Sequence, residues 1–199
     1  MALRSAASTL LALLLFAPAI VDAERLPARV FTTADGLANN VVTRIVHDSR
    51  GYLWFCTQGG LSRFDGYGFV NYGKADGLPG DHVMDLLEAD DGSYWVATTE
   101  GLASFTPSAK PGGRLFSGVQ LGNTSETSQT LCLRQTSDGS IWAGTVGGLF
   151  KLVRNGSGWQ ARIIDLGVPA DKLRLLQINA LLPDGRNRGR LKLITDIVG

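Results

Sequence analysis

The sequence predicts an all-β protein built from repeated sheets of four antiparallel strands. Three observations lead to this fold class. A tryptophan-containing motif recurs along the chain, short stretches rich in β-branched and aromatic residues alternate with glycine-containing turns, and helical periodicity is absent beyond residue 23. The 199 residues include 25 glycines and 7 prolines, which is typical of many tight turns rather than of disorder.

The recurring motif is Gly-x-x-Trp-x-x-Thr-x-x-Gly-Leu, and three of the four tryptophans occupy its fourth position. A second marker, Asp-Gly-Leu, precedes the first two copies. The two markers and the first two tryptophans are each 41 residues apart, whereas the third tryptophan follows after 47, which predicts a longer loop around 122–129. The copies span 51–64, 92–105 and 139–152, their tryptophans are Trp54, Trp95 and Trp142, and the markers begin at Asp35 and Asp76.

Each repeat accommodates four short strands separated by turns that contain Gly, Asp, Ser or Asn. Four strands in a repeat of roughly 40–50 residues form one blade of a β-propeller. We therefore expect three complete blades and a partial fourth, which is an incomplete propeller. The strands predicted for the first blade are 41–47, 52–57, 61–65 and 69–72, and the blade units are about 29–73, 74–115, 116–160 and, in part, 161–199.

The tryptophans are predicted to fill the space between adjacent blades. Strand alternation puts Trp54 and Cys56 on one face of the sheet and Phe55 on the other. A buried indole removes roughly 150–250 Å² from water, which makes it a strong packing element. A platform for stacking sugars is the alternative, but regular placement on interior strands favours packing.

The fourth copy of the motif is degenerate. Gly189 and Thr195 keep the spacing of the motif, but Lys192 stands at the tryptophan position. An unpaired ammonium group is strongly disfavoured in an apolar interior. We therefore expect a fourth blade that is exposed at an edge or decayed, and a closed ring of four blades is the less favoured alternative.

No catalytic, cofactor or metal site is predicted. Cys56 and Cys132 lie in different repeats and are expected to be buried thiols rather than a disulfide. The two histidines, His47 and His82, have no nucleophile or base partner at a recognisable spacing. The acidic turn at 90–92 lacks the alternating ligands and distal Glu of a calcium loop.

The first 23 residues have the pattern of a secretory signal. Arg4 supplies a positive charge, residues 10–16 are apolar, and small residues precede a cleavage site after Ala23. A membrane anchor is the alternative, but Pro18 and Asp22 interrupt the apolar run. With 19 basic and 18 acidic residues and no basic cluster, the chain is not predicted to bind nucleic acid. We expect a periplasmic or secreted protein.

Three stretches, 33–37, 48–57 and 60–66, resemble the two-component regulator propeller repeat. The resemblance covers about 29–152, with a weak extension to Thr195. In that family similar repeats build seven-bladed propellers outside the inner membrane, which pass a ligand signal to a histidine kinase or a cyclic-dinucleotide synthase. The resemblance implies a sensory module, here a truncated sensor or an N-terminal fragment of a sensor histidine kinase without its output domain.

Two classes of function follow from these observations. In the first, the propeller binds an unknown small-molecule or glycan ligand with loops around its axis, next to further blades or a dimer partner and, if the chain is a fragment, a membrane-spanning output module. In the second, it is a secreted propeller enzyme or binding protein acting on glycans, although no pair of carboxylates stands out. A scaffold or adhesin is a third possibility. The sequence names neither the ligand nor the residues that bind it.

Overall fold

A computed structural model describes residues 28–107, 113–122, 128–156, 158–173, 175–183 and 191–197. The predicted signal peptide lies outside these residues. The chain divides into two units, Met1–Val30 and Phe31–Gly199. Residues 28–30 of the first unit form no helix or strand, and all elements below belong to the second. No helix in the described part of the chain has the length and apolarity needed to span a membrane.

The second unit is nearly all β, which confirms the predicted fold class. Three sheets have four strands each, in the orders β1-β2-β3-β4, β5-β6-β7-β8 and β9-β10-β11-β12, and a fourth sheet consists of β13 and β14. All pairs are antiparallel. The strands are β1 (Val42–His47), β2 (Leu53–Thr57), β3 (Gly60–Phe64), β4 (Phe69–Tyr72), β5 (Val83–Glu88), β6 (Tyr94–Thr98), β7 (Gly101–Phe105), β8 (Phe116–Val119), β9 (Thr130–Gln135), β10 (Ile141–Thr145), β11 (Gly148–Asn155), β12 (Gly158–Ile164), β13 (Leu176–Pro183) and β14 (Leu191–Ile197).

Each sheet is one blade, and the blades follow one another in chain order. β1 packs on β5, β5 on β9, and β9 on β13, so the first strand of every blade lines a common axis. Two short 3-10 turns, Thr33–Asp35 and Lys74–Asp76, lead into the first two blades, and a short helix α1 (Ala170–Leu173) precedes the fourth. The 3-10 turns contain the aspartates of the two Asp-Gly-Leu markers.

Two predicted blade boundaries were placed too early. The unit predicted to begin at 116 excludes β8 from the second blade, yet β8 pairs with β7. Likewise β12 extends the third blade to Ile164, beyond the predicted end at 160. The outer strands of these blades follow loops of different lengths, so the period of the inner motif does not locate them.

The hairpin turns between the first two strands of the first three blades form as the sequence predicts. Gly51, Gly92 and Gly139 have φ values of 88°, 78° and 80°. In this left-handed region a side chain would be strained, so glycine is required at the same place in each repeat. The matching φ values show that the three blades share one turn geometry.

A β-bulge recurs in the first strand of all four blades. The register of each first strand shifts by one residue, at Thr43, Met84, Leu131 and Asn179 respectively. Val46 lies three residues after the bulge of the first blade and pairs with Trp54. Leu182 lies three residues after the bulge of the fourth blade and pairs with Lys192, so Lys192 occupies the position of the motif tryptophan. The partial sheet is therefore a copy of the inner half of a blade, and its Lys192 is exposed, as predicted.

The tryptophans fill the space between blades, as predicted. Trp54 is 1% exposed and packs edge-on against Phe105 of the second blade at 5.5 Å between ring centroids. Trp95 is fully buried in a cluster with Leu133 and Phe150 of the third blade. Trp142 is only half-buried, against the two-stranded fourth sheet. The burial of each tryptophan thus follows the completeness of the next blade.

The described strands form an open arc rather than a closed ring. Ile45 on β1 is 57% exposed and Ile194 on β14 is 51% exposed, and the described strands of the first and fourth blades do not pack together. The closed four-bladed alternative is therefore wrong for the described chain. Cys56 and Cys132 are buried free thiols, as predicted. Burial raises the pKa of Cys132 to about 12, with the Asp85 carboxylate adding to the effect.

Candidate functional site

A polar groove of about 360 Å³ opens at the end of the blades where the β1–β2 and β5–β6 turns lie. We call it the Trp159 groove. It combines side chains of three blades, so its shape depends on how the blades pack. Its walls are formed by Arg50, Asp91, Gly92, Ser93, Tyr94, Ser104, Phe105, Thr106, Pro107, Arg154 and Trp159.

The outer hairpin of the third blade builds one wall of this groove. β11 has eight residues and β12 seven, whereas the equivalent β3 and β4 have five and four. The longer hairpin carries Arg154 opposite Trp159 in the strand register. The ring of Trp159 stands edge-on to Trp95, with 4.8 Å between centroids and 89° between planes. The one tryptophan outside the repeated motif is therefore fixed by one inside it.

Two arginines of the groove lie over aromatic rings. The guanidinium of Arg154 is 4.7 Å from the centroid of Trp159, and that of Arg50 is 5.8 Å from the centroid of Tyr94. Such cation–π contacts are favourable and restrict the rotamers of both arginines. Both arginines also belong to the walls of the groove.

Asp91 is the one carboxylate on the walls of the groove among the described residues. It accepts hydrogen bonds from the Ser93 hydroxyl at 2.6 Å and from the Ser93 backbone N–H at 3.0 Å, and these bonds lower its pKa. Nη2 of Arg154 lies 3.5 Å from its second oxygen, in a pair with both side chains well exposed. Solvent screens such a pair, so it holds Arg154 only weakly.

The base of the groove is held by hydrogen bonds around Tyr94 and Asp48, and the bond between these two side chains joins the first and second blades. The Tyr94 hydroxyl contacts Asp48 at 2.9 Å and Glu88 at 3.1 Å. Asp48 also accepts the indole N–H of Trp54 at 2.8 Å. Burial acts to raise the pKa of Asp48, but the bonds from Trp54, Tyr52 and Tyr94 outweigh it and lower the pKa. The ring beneath Arg50 is thus firmly positioned.

A second cavity, of about 340 Å³, opens at the opposite end of the blades. It is lined by Pro79, by residues 100–102, by residues 118–121 at the end of β8 and just beyond it, and by Ser128. The carboxylate of Glu100 is already paired with Lys74 at 2.7 Å. The Trp159 groove offers more aromatic and charged groups than this second cavity, whose lining carries Glu100 as its charged residue.

The histidines and turn aspartates examined in the sequence as candidate catalytic or metal-binding residues do not come together in one site. His47 is exposed at the end of β1, and His82 is half-buried in the turn before β5. Asp91 and Asp138 each accept the backbone N–H two residues on, as expected of turn aspartates. Within the described ranges, no group of three or more His, Cys, Asp or Glu side chains could hold a metal ion.

A family comparison matches the two-component regulator propeller model at residues 36–59 and 77–100. These segments contain the first two Asp-Gly-Leu markers and the first two tryptophans of the motif. These two segments therefore match the two-component regulator propeller repeat, which confirms the resemblance stated from the sequence for the first two repeats. A search among curated proteins found no match.

The similar solved structures include extracellular domains of proteins described as two-component and one-component systems. The extracellular domain of a B. thetaiotaomicron protein described as a hybrid two-component system is 22% identical, with a TM-score of 0.57 over 71% of this chain and 19% of that one. A domain described as part of a one-component system from the same organism is 20% identical, with a TM-score of 0.62 over 86% of this chain and 21% of that one. This chain thus spans about a fifth of those structures.

A further similar structure belongs to an enzyme. A catalytically inactive virginiamycin B lyase from Staphylococcus aureus is 17% identical, with a TM-score of 0.51 over 76% of this chain and 48% of that one. At these identities the structures establish the propeller fold alone. A shared fold therefore does not decide between a binding role and a catalytic role for this chain. That question has to be argued from the side chains of the groove.

Sequence reasoning did not identify the Trp159 groove. Arg50, Asp91 and Arg154 come from three different blades, and none belongs to a motif with chemical meaning. One signal was present: Trp159 is the tryptophan that breaks the repeat. A large aromatic residue with no place in a packing motif is a reasonable starting point in the search for a binding site.

Proposed function

We propose that this chain is an exported sensory module of a two-component system and that it binds a small ligand in the Trp159 groove. The observation that carries the proposal is the match of its first two repeats to the two-component regulator propeller. Export is supported by the signal pattern of residues 1–23. The chain spans about a fifth of the similar extracellular domains. That this module passes its signal to a kinase or another output domain is therefore also part of the proposal.

The position of the groove suits a sensor. A ligand in it contacts Arg50 of the first blade, Tyr94 of the second and Trp159 of the third. Binding would therefore stabilise one relative arrangement of three blades over others. A ligand shifts a conformational equilibrium only through such differential contacts.

The enzyme alternative is less well supported. Cleavage of glycosidic bonds generally requires two carboxyl groups facing the scissile bond. The described walls of the Trp159 groove carry a single one, Asp91, which is engaged by Ser93 and Arg154. The groove is better equipped for binding than for acid–base chemistry.

Thermal unfolding of the purified exported protein with a panel of neutral sugars, acidic sugars, amino acids and dicarboxylates tests the proposal. We expect at least one compound to raise the melting temperature of the wild type and to have no effect on Trp159→Ala. Tyr67→Ala is the matched control, because Tyr67 is 94% exposed and lies outside the groove. If Trp159→Ala keeps every shift, or no compound produces one, binding in this groove is wrong.

A further inference from the structure

We propose that the Trp159 groove recognises an oxyanion on its ligand, a carboxylate, sulfate or phosphate group bound by Arg50 and Arg154. This inference rests on the proposed function and specifies the ligand class of the same groove. It is carried by the way in which the two guanidinium groups are held and by the hydrogen-bond donors that remain open on them.

The open donors are those of Arg50 and Arg154. Among the described residues, the Arg50 side chain contacts the Tyr94 ring and forms no ion pair. Arg154 has its ring contact with Trp159 and a pair with Asp91 at 3.5 Å, which is long for a charge-assisted hydrogen bond. A guanidinium carries five N–H donors, so most of those on both side chains remain available.

Asp91 engages Arg154 only through the long pair at 3.5 Å, and two other nearby acidic groups, Asp48 and Glu88, do not compete for these donors. Asp48 is 2% exposed and accepts bonds from Trp54 and Tyr94 beneath the groove. Glu88 accepts the backbone N–H of Ser49 at 2.7 Å and also the Ser49 hydroxyl. Both carboxylates are therefore occupied by neutral donors of the protein, and the two arginines remain the cationic groups that face the groove.

The ring contacts favour an oxyanion over a neutral ligand. A guanidinium held against an aromatic ring keeps its full positive charge and most of its N–H donors, and a pair of these donors matches the two oxygens of a carboxylate or sulfate. Because the cation–π contacts already restrict both side chains, little further side-chain entropy is lost on binding. Thr106 adds a further hydroxyl group to the walls of the groove.

Isothermal titration of the exported protein with glucuronate and with glucose tests the inference, since the two sugars share a ring and differ in one carboxylate. Sodium sulfate against sodium chloride at equal ionic strength forms a second pair and distinguishes an inorganic anion from an acidic organic ligand. We expect glucuronate to bind at least about tenfold more tightly than glucose, because a hydrogen bond to a charged group contributes roughly that factor.

Arg50→Gln and Arg154→Gln should each remove about tenfold of the glucuronate affinity. Arg162→Gln, on the exposed part of β12 outside the groove, should leave that affinity unchanged. The inference is overturned if glucose and glucuronate bind equally, if a neutral compound alone binds, or if anion binding survives both groove variants. If glucose and glucuronate bind the wild type equally and neither binds Trp159→Ala, the groove is confirmed as a ligand site and only the oxyanion assignment is wrong.

Discussion

Asp85 shows how one buried residue joins three blades. Its carboxylate is 1% exposed and accepts Nε of Arg44 from the first blade at 2.9 Å and the backbone N–H of Leu133 from the third at 2.8 Å. Burial raises its pKa above the ordinary value of 3.8, because the attraction of Arg44 and the bonds from Leu133 and Leu86 offset desolvation only in part. The neutral acid therefore fits the fold better than the carboxylate does.

Arg44→Met should destabilise the protein by about 1 kcal/mol at pH 7, a modest figure because the Arg44 side chain is 42% exposed. Loss of Arg44 raises the folded-state pKa of Asp85 further. Because the pKa of Asp85 is higher in the folded than in the unfolded state, protonation of Asp85 stabilises the fold. This stabilisation is fully present below pH 3.8 and is lost as the pH rises through the folded-state pKa. The difference between variant and wild type should thus shrink on acidification.

Urea unfolding at pH 7 and at successively lower pH measures this difference. Asp85→Asn provides the control background, since the side chain no longer titrates there and Arg44→Met should show little pH dependence. A pH-independent effect of Arg44→Met in the Asp85 background would show that packing, and not charge, links the two residues.

At the scale of the element, the blade interface repeats with small changes. The backbone N–H of Ser49 donates to Glu88 at 2.7 Å, and that of Asp90 donates to Gln135 at 2.8 Å. In both pairs a turn of one blade bonds the last residue of the first strand of the next. Together with the recurring bulge and the buried Trp54, these bonds set the packing of one blade on its neighbour.

Replacing each motif tryptophan with alanine should measure how complete each interface is. Trp54→Ala and Trp95→Ala should each cost about 3–5 kcal/mol, since both rings are at most 1% exposed. Trp142→Ala should cost about half as much or less, because the ring is only half-buried against the fourth sheet. Urea unfolding followed by circular dichroism tests this order, and equal costs for all three variants would contradict it.

The repeated interface explains what the sequence could predict. Trp54 and Trp95 recur because the same cavity between blades must be filled each time, so the period revealed their role and most strand positions. The groove, in contrast, does not arise from the repeated motif. Its wall depends on a hairpin of the third blade that is longer than its counterparts, and this hairpin brings Arg154 into the same groove as Arg50, which lies 104 residues earlier in the sequence. No local pattern encodes that proximity.

At the scale of the whole molecule, the described strands leave one blade face open at each end of the arc. On the second blade, the surface that faces the first contains Leu86, which is 3% exposed. The equivalent residue of the first blade, 41 positions earlier, is Ile45, which is 57% exposed. The same repeat position is therefore core in one blade and surface in the other.

Ile45→Glu and Leu86→Glu form a matched pair that tests whether the first blade face is open in solution. Leu86→Glu should prevent stable folding, because it buries a charge between two blades without a partner. Ile45→Glu should change the free energy of unfolding by no more than about 0.5 kcal/mol, as is usual for surface substitutions, and light scattering should show equal or lower self-association. If Ile45→Glu destabilises the protein as strongly as Leu86→Glu does, the face of the first blade is covered in solution, either by a second copy or by further chain, and the arc is closed there.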